Sequence, residues 1–167
     1  METPAPRARL TYLLVAAGAF ALDQAAKWLA AHALALGESR RIVPGLFDLT
    51  HWQNRGAAFG LFADAASPAA QIFLVAFSGA ALALVGGLLW RGPATRLSGW
   101  GLGLILGGAL GNLVDRLHRG SVVDFLDFHL GPYHWPAFNL ADSAIVLGAA
   151  ALMFEILWGR RRGAPEA

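Results

Sequence analysis

Residues 99–116, which read GWGLGLILGGALGNLVDR, form an apolar run that closes on the charged pair Asp115 and Arg116. Four of its glycines recur at every fourth position, at residues 99, 103, 107 and 111. In a helix this spacing puts them on one stripe, and small residues on such a stripe let a second backbone approach closely in a membrane. The run therefore predicts a membrane-spanning helix with one side that packs against another helix.

Three further stretches approach the ~20 apolar residues that are needed to cross a hydrocarbon core of ~30 Å. The predicted spans are residues 10–31, 69–90, 97–114 and 140–158. Hydrophobic residues make up 56% of the 167-residue chain and charged residues 14%, whereas soluble domains average about 45–50% apolar residues. We therefore expect an all-α membrane protein of one integral domain, residues 1–167, with four transmembrane helices.

The first span has a competing interpretation as a secretory signal peptide. Arg7 and Arg9 precede an apolar stretch, and residues 31–33 resemble a cleavage site. Asp23 and Lys27 lie between that stretch and the possible cut, however, and the three later spans pack more naturally with a fourth helix. A membrane span is therefore favoured.

The distribution of basic residues orients the four spans. Cytoplasmic loops are enriched in Lys and Arg, and the short segments 1–9, 91–96 and 159–167 are far denser in them than the two long connections, 32–68 and 115–139. The basic residues of the short segments are Arg7, Arg9, Arg91, Arg96, Arg160, Arg161 and Arg162. This pattern predicts that both termini are cytoplasmic and that the long connections lie on the outer face.

The long connections contain two stretches with the alternation of β-strands. Residues 47–54 and 121–128 alternate apolar and polar residues, are rich in β-branched and aromatic side chains, and are bounded by glycines. We expect a small β-rich subdomain outside the membrane. In such a strand Asp124 shares a face with Leu126 and Phe128, and Asp127 points the opposite way.

Polar residues that are unusual in a membrane protein gather at the outer boundary of this topology. They are Asp23, Lys27, Asn54, Asn112, Asp115, Arg116, Asp124, Asn139 and Asp142. Intramembrane ionisable groups are functional candidates by default. Asp23 and Lys27 have i, i+4 spacing, which predicts an internal ion pair. The adjacent Asp115 and Arg116 are expected to be structural or ion-pairing rather than catalytic.

Asp124 and Asp142 are the leading candidates for catalysis. Two carboxylates brought close in a partly dry site share one proton, so that one acts as a base on water while the other polarises a carbonyl oxygen. A helix N-terminus favours ionised Asp142, which leaves Asp124 as the protonated partner. The residues alone also allow a plainer reading, in which Asp142 only caps a helix and Asp124 is a solvent-facing strand residue.

Other function classes find less support in the chain. It has no cysteine, no HExxH, no G-x-S-x-G and no phosphate-binding loop, and its basic residues flank apolar runs instead of forming a nucleic-acid patch. A metal site built from Asp127, His129 and His134 is a minor alternative. A proton-coupled transporter that uses Asp23, Asp124 and Asp142 as a relay, or a structural membrane subunit, remains open. We predict no metal, no cofactor and no nucleic-acid partner.

Five blocks in order resemble the lipoprotein signal peptidase family, also called signal peptidase II or prolipoprotein signal peptidase. They are Asp23-Gln24-x-x-Lys27, Asn54-x-Gly56-x-Ala58-Phe59-Gly60, Gly107-Gly108-Ala109-x-Gly111-Asn112-x-x-Asp115-Arg116, Val122-Val123-Asp124-Phe125 and Phe138-Asn139-x-Ala141-Asp142-Ser143. Each block alone is weak. Their order on a four-span chain of this length makes the resemblance specific.

The resemblance implies an intramembrane aspartic endopeptidase of the bacterial inner membrane. Its substrates would be prolipoproteins, cut before the diacylglyceryl-modified cysteine, and the enzyme would act as a monomer among membrane lipids without a cofactor. Asp124 and Asp142 match the family's catalytic aspartates. The residues implied to hold the substrate or support the dyad are Asp23, Lys27, Asn54, Gly56, Asn112, Arg116 and Asn139. The outer strands and Phe59 are expected to cover the site.

Overall fold

The computed structural model describes residues 6–56, 68–93 and 95–159. In these residues the chain forms four long helices, namely α1 (Pro6–Ala33), α2 (Pro68–Arg91), α3 (Arg96–Arg119) and α4 (Leu140–Gly159). All four are long and apolar enough to cross a membrane. The prediction of four transmembrane helices is therefore confirmed.

Helix α3 lies at the centre of the bundle and packs against the other three helices. Its glycine stripe faces α1, because a Cβ added at Gly103 would lie 2.7 Å from the Tyr12 carbonyl oxygen, and one added at Gly107 would collide with the Ala16 carbonyl. A second small face, which the four-residue spacing did not reveal, meets α4 at Gly101. Close backbone packing on two sides explains why α3 is so rich in glycine.

The ends of α3 are set by local signals. Thr95 caps its N-terminus in a reciprocal capping box with Ser98, and Gly120 ends it in a left-handed conformation (φ 66°) with its N–H bonded to the Arg116 carbonyl. The predicted span, residues 97–114, lies within this helix, which continues beyond it through Asp115 and Arg116. Their polarity does not break the helix, since both side chains find partners inside the protein.

A four-stranded antiparallel sheet with the order β1-β2-β3-β4 completes the fold. The strands are β1 (Ser39–Val43), β2 (Phe47–Asn54), β3 (Val122–Leu130) and β4 (Tyr133–His134). The sheet follows the C-terminal ends of α1 and α3 and precedes the N-terminal ends of α2 and α4, so it lies at one end of the bundle. The two predicted strands are confirmed, with β3 running on to Leu130, whereas β1 and β4 were not predicted.

The two aspartates of β3 face opposite ways, as the alternation predicts. Asp124 is buried, with 3% of its surface exposed. The Asp127 Oδ1 atom instead lies 2.9 Å from His134 Nδ1, and His129 Nε2 lies 3.4 Å from Asp48 Oδ1. The described residues contain no group of three or more His, Cys, Asp or Glu side chains placed to hold a metal ion. The alternative of a metal site at Asp127, His129 and His134 is therefore not supported.

Candidate active site

Asp124 and Asp142 line the same cavity, which has a volume of about 600 Å³ and opens where the sheet meets the helices. Its polar lining also includes Asn54, Asn112 and Arg116. Most of the wall is apolar and comes from β3, from the segment before α4 and from the first turns of α4. These residues are Val122, Trp135, Pro136, Ala137, Phe138, Ile145, Val146 and Leu147.

The N-terminus of α4 holds Asp142 in place. Asn139, the residue before the helix, accepts a hydrogen bond from the Asp142 N–H at 2.9 Å, and the Asp142 carboxylate accepts one from the Asn139 N–H at 3.3 Å. This reciprocal pair satisfies two of the free N–H groups at the helix end. A third N–H, that of Ala141, donates to Asp23 Oδ1 at 2.8 Å. Asp142 is thus fixed by its own helix and presented to the cavity.

Asp124 is held by two side-chain amides. Asn139 Nδ2 donates to Asp124 Oδ1 at 2.7 Å, and Asn54 Nδ2 donates to Asp124 Oδ2 at 3.0 Å. Burial, followed by the negative charge of Asp142, raises the pKa of Asp124 from 3.8 to about 7, against the opposing effect of the two amide donors. Since Asn139 touches both aspartates, the two carboxylates belong to one hydrogen-bonded unit.

A buried ammonium group lies behind Asp142. Lys27 Nζ is 2.8 Å from Asp23 Oδ2, 2.8 Å from Asp115 Oδ2 and 2.9 Å from Asn112 Oδ1. These three acceptors match the three N–H groups of an ammonium. The predicted ion pair of Asp23 and Lys27 is confirmed. Asp115 is ion-paired as expected, but with Lys27 of another helix and not with the neighbouring Arg116.

Three asparagines present their amide nitrogens to the carboxylates, and their orientation is forced. The oxygen of Asn112 faces Lys27 Nζ, that of Asn54 faces the Gly56 N–H at 2.9 Å, and that of Asn139 faces the Asp142 N–H. Each of these partners can only donate, so each asparagine must turn its NH₂ group toward a carboxylate. Asn112 Nδ2 accordingly donates to Asp142 Oδ1 at 2.8 Å. All four carboxylate oxygens therefore receive one donor each.

Arg116 supplies a positive charge beside the two carboxylates. Its Nη2 donates to the Gly56 carbonyl at 3.2 Å and its Nη1 to the Asn112 carbonyl at 3.4 Å. Its Nε is buried and has no hydrogen-bond partner among the described residues. Arg116 thus ties the segment after β2 to α3.

The structure brings the predicted site residues together in two layers. Those at the cavity are Asp124, Asp142, Asn54, Asn112 and Arg116. Asp23 and Lys27 lie behind them with no exposed surface, so they support the site and do not reach the cavity. Asn139 is likewise fully buried and joins the two aspartates, while Gly56 takes part through its backbone. Phe59 lies outside the described residues.

Two features of the site were missed by reasoning from the sequence. Asp115 is a partner of Lys27, whereas its sequence position predicted a structural or ion-pairing role without identifying that partner. The apolar wall formed by Trp135 and by Val146 was not assigned to the site. Helical spacing offered a signal for Val146, which follows Asp142 by one turn and therefore shares its face.

The arrangement suits acid–base chemistry on a bond held in an apolar cleft. Two coupled carboxylates divide the roles of base and acid when burial keeps one of them protonated near neutral pH. The amide donors stabilise the anionic member, and the apolar wall limits access of bulk water. This combination matches hydrolysis of an amide or ester by an activated water.

Comparison with known proteins gives consistent results. The family model described as signal peptidase (SPase) II matches residues 15–158. Lipoprotein signal peptidase of Solibacter usitatus is 44% identical over 151 residues, covering 90% of this chain and 92% of the relative. That of Desulforapulum autotrophicum is 46% identical over 158 residues, covering 92% and 96%. A solved bacterial membrane enzyme superposes with a TM-score of 0.81 at 26% identity, covering 94% of this chain and 93% of that chain.

Proposed function

Since this chain belongs to the signal peptidase II family, whose members are lipoprotein-processing proteases of the membrane, we propose that it is an aspartic endopeptidase. It removes signal peptides from bacterial prolipoproteins by hydrolysing the bond before the diacylglyceryl-modified cysteine. Asp124 and Asp142 are its catalytic pair, and the chain works as a single membrane domain and as a monomer.

One observation carries this proposal: both aspartates line one cavity and share Asn139 as a hydrogen-bond partner. The plainer roles for these side chains are a helix cap for Asp142 and a solvent-facing strand residue for Asp124. Neither role requires the two aspartates to share a cavity and a hydrogen-bond partner. The raised pKa of Asp124, about 7, gives the pair one proton to share near neutral pH. These are the properties that the two acids of an aspartic peptidase need.

In the proposed reaction a water molecule between the carboxylates attacks the scissile carbonyl carbon. Ionised Asp142 takes a proton from the water, and protonated Asp124 gives its proton to the carbonyl oxygen, which yields a neutral tetrahedral diol. Asp142 then passes its proton to the leaving nitrogen while Asp124 recovers one from a hydroxyl group. The C–N bond breaks, and both aspartates return to their starting states.

The shape of the cavity supports a lipid-modified substrate. Val146 and Leu147 lie in its wall and are also more than half exposed on α4, at 62% each, so the cleft continues into the surface that faces lipid. A diacylglyceryl cysteine keeps its neighbouring bond at the membrane surface, because each buried CH₂ adds ~0.8 kcal/mol of anchoring. A site at one end of the bundle suits that bond.

We further propose that this end of the bundle faces the outside of the bacterial inner membrane. Arg91 ends α2 and Arg96 begins α3, so both lie at the end of the bundle that is away from the sheet. Basic residues are expected in a cytoplasmic loop. Both chain termini are then cytoplasmic, and the sheet lies on the outer surface.

The experiment that tests the proposed function uses the purified, detergent-solubilised chain and a prolipoprotein in two forms, with and without the diacylglyceryl group on its cysteine. Mass spectrometry of the products locates the cut. We expect cleavage of the modified form alone, directly before the cysteine. Equal cleavage of both forms, a cut elsewhere, or no cleavage of the modified form would refute the assignment.

A further inference from the structure

We propose that the Lys27 ammonium, acting through the Asn112 amide, makes Asp142 the ionised member of the pair and leaves the shared proton on Asp124. The inference rests on the proposed function and assigns Lys27 and Asn112 as positioning residues for it. Neither residue donates or accepts a proton in the reaction. Their role is to fix which carboxylate attacks the water and which one protonates the carbonyl.

The first step of the argument is the direction of the hydrogen bonds. Lys27 Nζ can only donate, and it lies 2.9 Å from Asn112 Oδ1. The Asn112 NH₂ group must therefore donate to Asp142 Oδ1, at 2.8 Å. A cation polarises the amide that it binds and strengthens the donor at the far end. This donor stabilises a carboxylate more than a neutral carboxyl group.

The second step is the contrast with Asp124. Its two donors are the side chains of Asn54 and Asn139, and the oxygens of these amides face backbone N–H groups. Neither chain of hydrogen bonds starts at a cation. The other donor to Asp142 is the Asn139 N–H at the N-terminus of α4, where the helix dipole also favours negative charge. Both differences favour the anion at Asp142.

The third step concerns the remaining charged groups around the pair. Asp23 on α1 and Asp115 on α3 offset part of the Lys27 charge, but neither donates a hydrogen bond to the pair. Arg116 on α3 lines the cavity with both aspartates, and its positive charge interacts more strongly with Asp142 than with Asp124, which favours the same assignment. The charged residue of α2 is Arg91, at the far end of that helix. The hydrogen bond from Asn112 adds to the effect of the helix N-terminus, and it is the contact that carries the influence of the Lys27 ammonium to Asp142.

The test compares the pH dependence of kcat/KM for cleavage by the wild type, Asn112→Ala and Asn54→Ala. In a bell-shaped profile the acid limb reports the first carboxyl to ionise and the basic limb reports the second. Asn112→Ala removes the donor to Asp142 while it leaves both ion pairs of Lys27. Asn54→Ala is the matched variant, because it removes one amide donor from Asp124.

We expect Asn112→Ala to move the acid limb to higher pH by about one unit and to leave the basic limb in place. Asn54→Ala should move the basic limb upward instead. The reverse assignment of limbs, or an unmoved acid limb in Asn112→Ala, would overturn the inference. Asn112→Ser replaces Asn112→Ala if the latter does not fold, because its shorter side chain also breaks the contact with Asp142.

The same experiment separates this inference from the function on which it rests. No cleavage by the folded wild type at any pH would overturn the proposed function and the inference with it. Wild-type cleavage that requires both aspartates, combined with limbs that move in the reverse order, would overturn the inference alone. The charge-retaining Lys27→Arg provides a further check, because it should keep the acid limb within a few tenths of a unit of the wild type.

Discussion

Asp124→Asn should gain stability relative to the wild type as the pH rises from 5 to 8, although it removes a proposed catalytic group. The pKa of Asp124 is raised from 3.8 to about 7 in the folded protein, so the folded state holds this proton more tightly than the unfolded state. Its contribution to stability is fully present below about pH 4 and is lost as pH rises through about 7. An asparagine at this position has no charge to bury at any pH.

The magnitude follows from the pKa shift. One pKa unit corresponds to ~1.36 kcal/mol, so the raised pKa lowers the free energy of unfolding of the wild type by roughly 2 kcal/mol at pH 5 and roughly 4 kcal/mol at pH 8. Asp124→Asn also leaves one of its two amide donors without an acceptor, which costs about 1–3 kcal/mol at both pH values. That cost cancels when the two pH values are compared. The advantage of the variant should therefore grow by about 2–3 kcal/mol from pH 5 to pH 8.

Thermal unfolding of the detergent-solubilised protein measures this change. For a chain of this size about 2–3 kcal/mol corresponds to a shift of roughly 4–12 °C in Tm. Ser143→Ala is the control, because Ser143 lines the same cavity and loses a non-ionising hydrogen bond to the Asn139 carbonyl. Its difference in Tm from the wild type should be the same at both pH values. The reasoning about Asp124 is refuted if the Tm difference of Asp124→Asn stays constant or shrinks between pH 5 and pH 8.

Three further predictions concern two supports of the site and the proposed acid, Asp124. Gly111→Ala should lower Tm and activity, because the added Cβ would lie 2.5 Å from Asp23 Oδ2. The control Gly18→Ala, which has open space around the added Cβ, should lower neither. Equal Tm values for the two variants would contradict this prediction. Lys27→Met should lose folded protein in gel filtration, because two buried carboxylates lose their counter-charge at a cost of about 3–5 kcal/mol, and a wild-type elution profile and yield would count against it. Wild-type cleavage should decline as pH rises through about 7, where Asp124 loses its proton; a rate that keeps rising to pH 9 would exclude Asp124 as the acid.

The helices were predictable because a membrane span must be apolar over its whole length. An apolar count gives the span but not the end of α3, because the count stops at Asp115 while the helix continues to Arg119. The ion pairs and hydrogen bonds that let Asp115 and Arg116 remain helical come from other elements, so no local signal announces them. The left-handed Gly120 is the true stop, and glycine after a basic last turn was the available signal.

The sheet was half predictable for a similar reason. The sequence of β2 begins with alternating apolar and polar residues, Phe47-Asp48-Leu49-Thr50, and this shows the period of two, although burial along the strand does not alternate. Every residue of β1 is exposed, and a strand without a buried face leaves no pattern of hydrophobic residues. Strand β4 has two residues, too few for any period.

The residues of the site were predictable from the sequence, but the contacts between them were not. The i, i+4 spacing of Asp23 and Lys27 predicts their ion pair, and the placement of Asn139 three residues before Asp142 suits a helix cap. The contact of Lys27 with Asn112 depends on how α1 packs against α3, which no spacing along the chain determines. The direction of each asparagine amide is set by its donor partner and becomes visible only when the elements are assembled.

The measurement that tests the central claim most directly is cleavage of the diacylglyceryl-modified prolipoprotein by Asp124→Asn, Asp142→Asn and Asp127→Asn beside the wild type. Asp127 is the matched control, because it lies on the same strand as Asp124 but contacts His134 on the other face. With all four proteins folded and inserted, we predict cleavage by the wild type and Asp127→Asn only. Appreciable cleavage by Asp124→Asn or by Asp142→Asn would contradict the account.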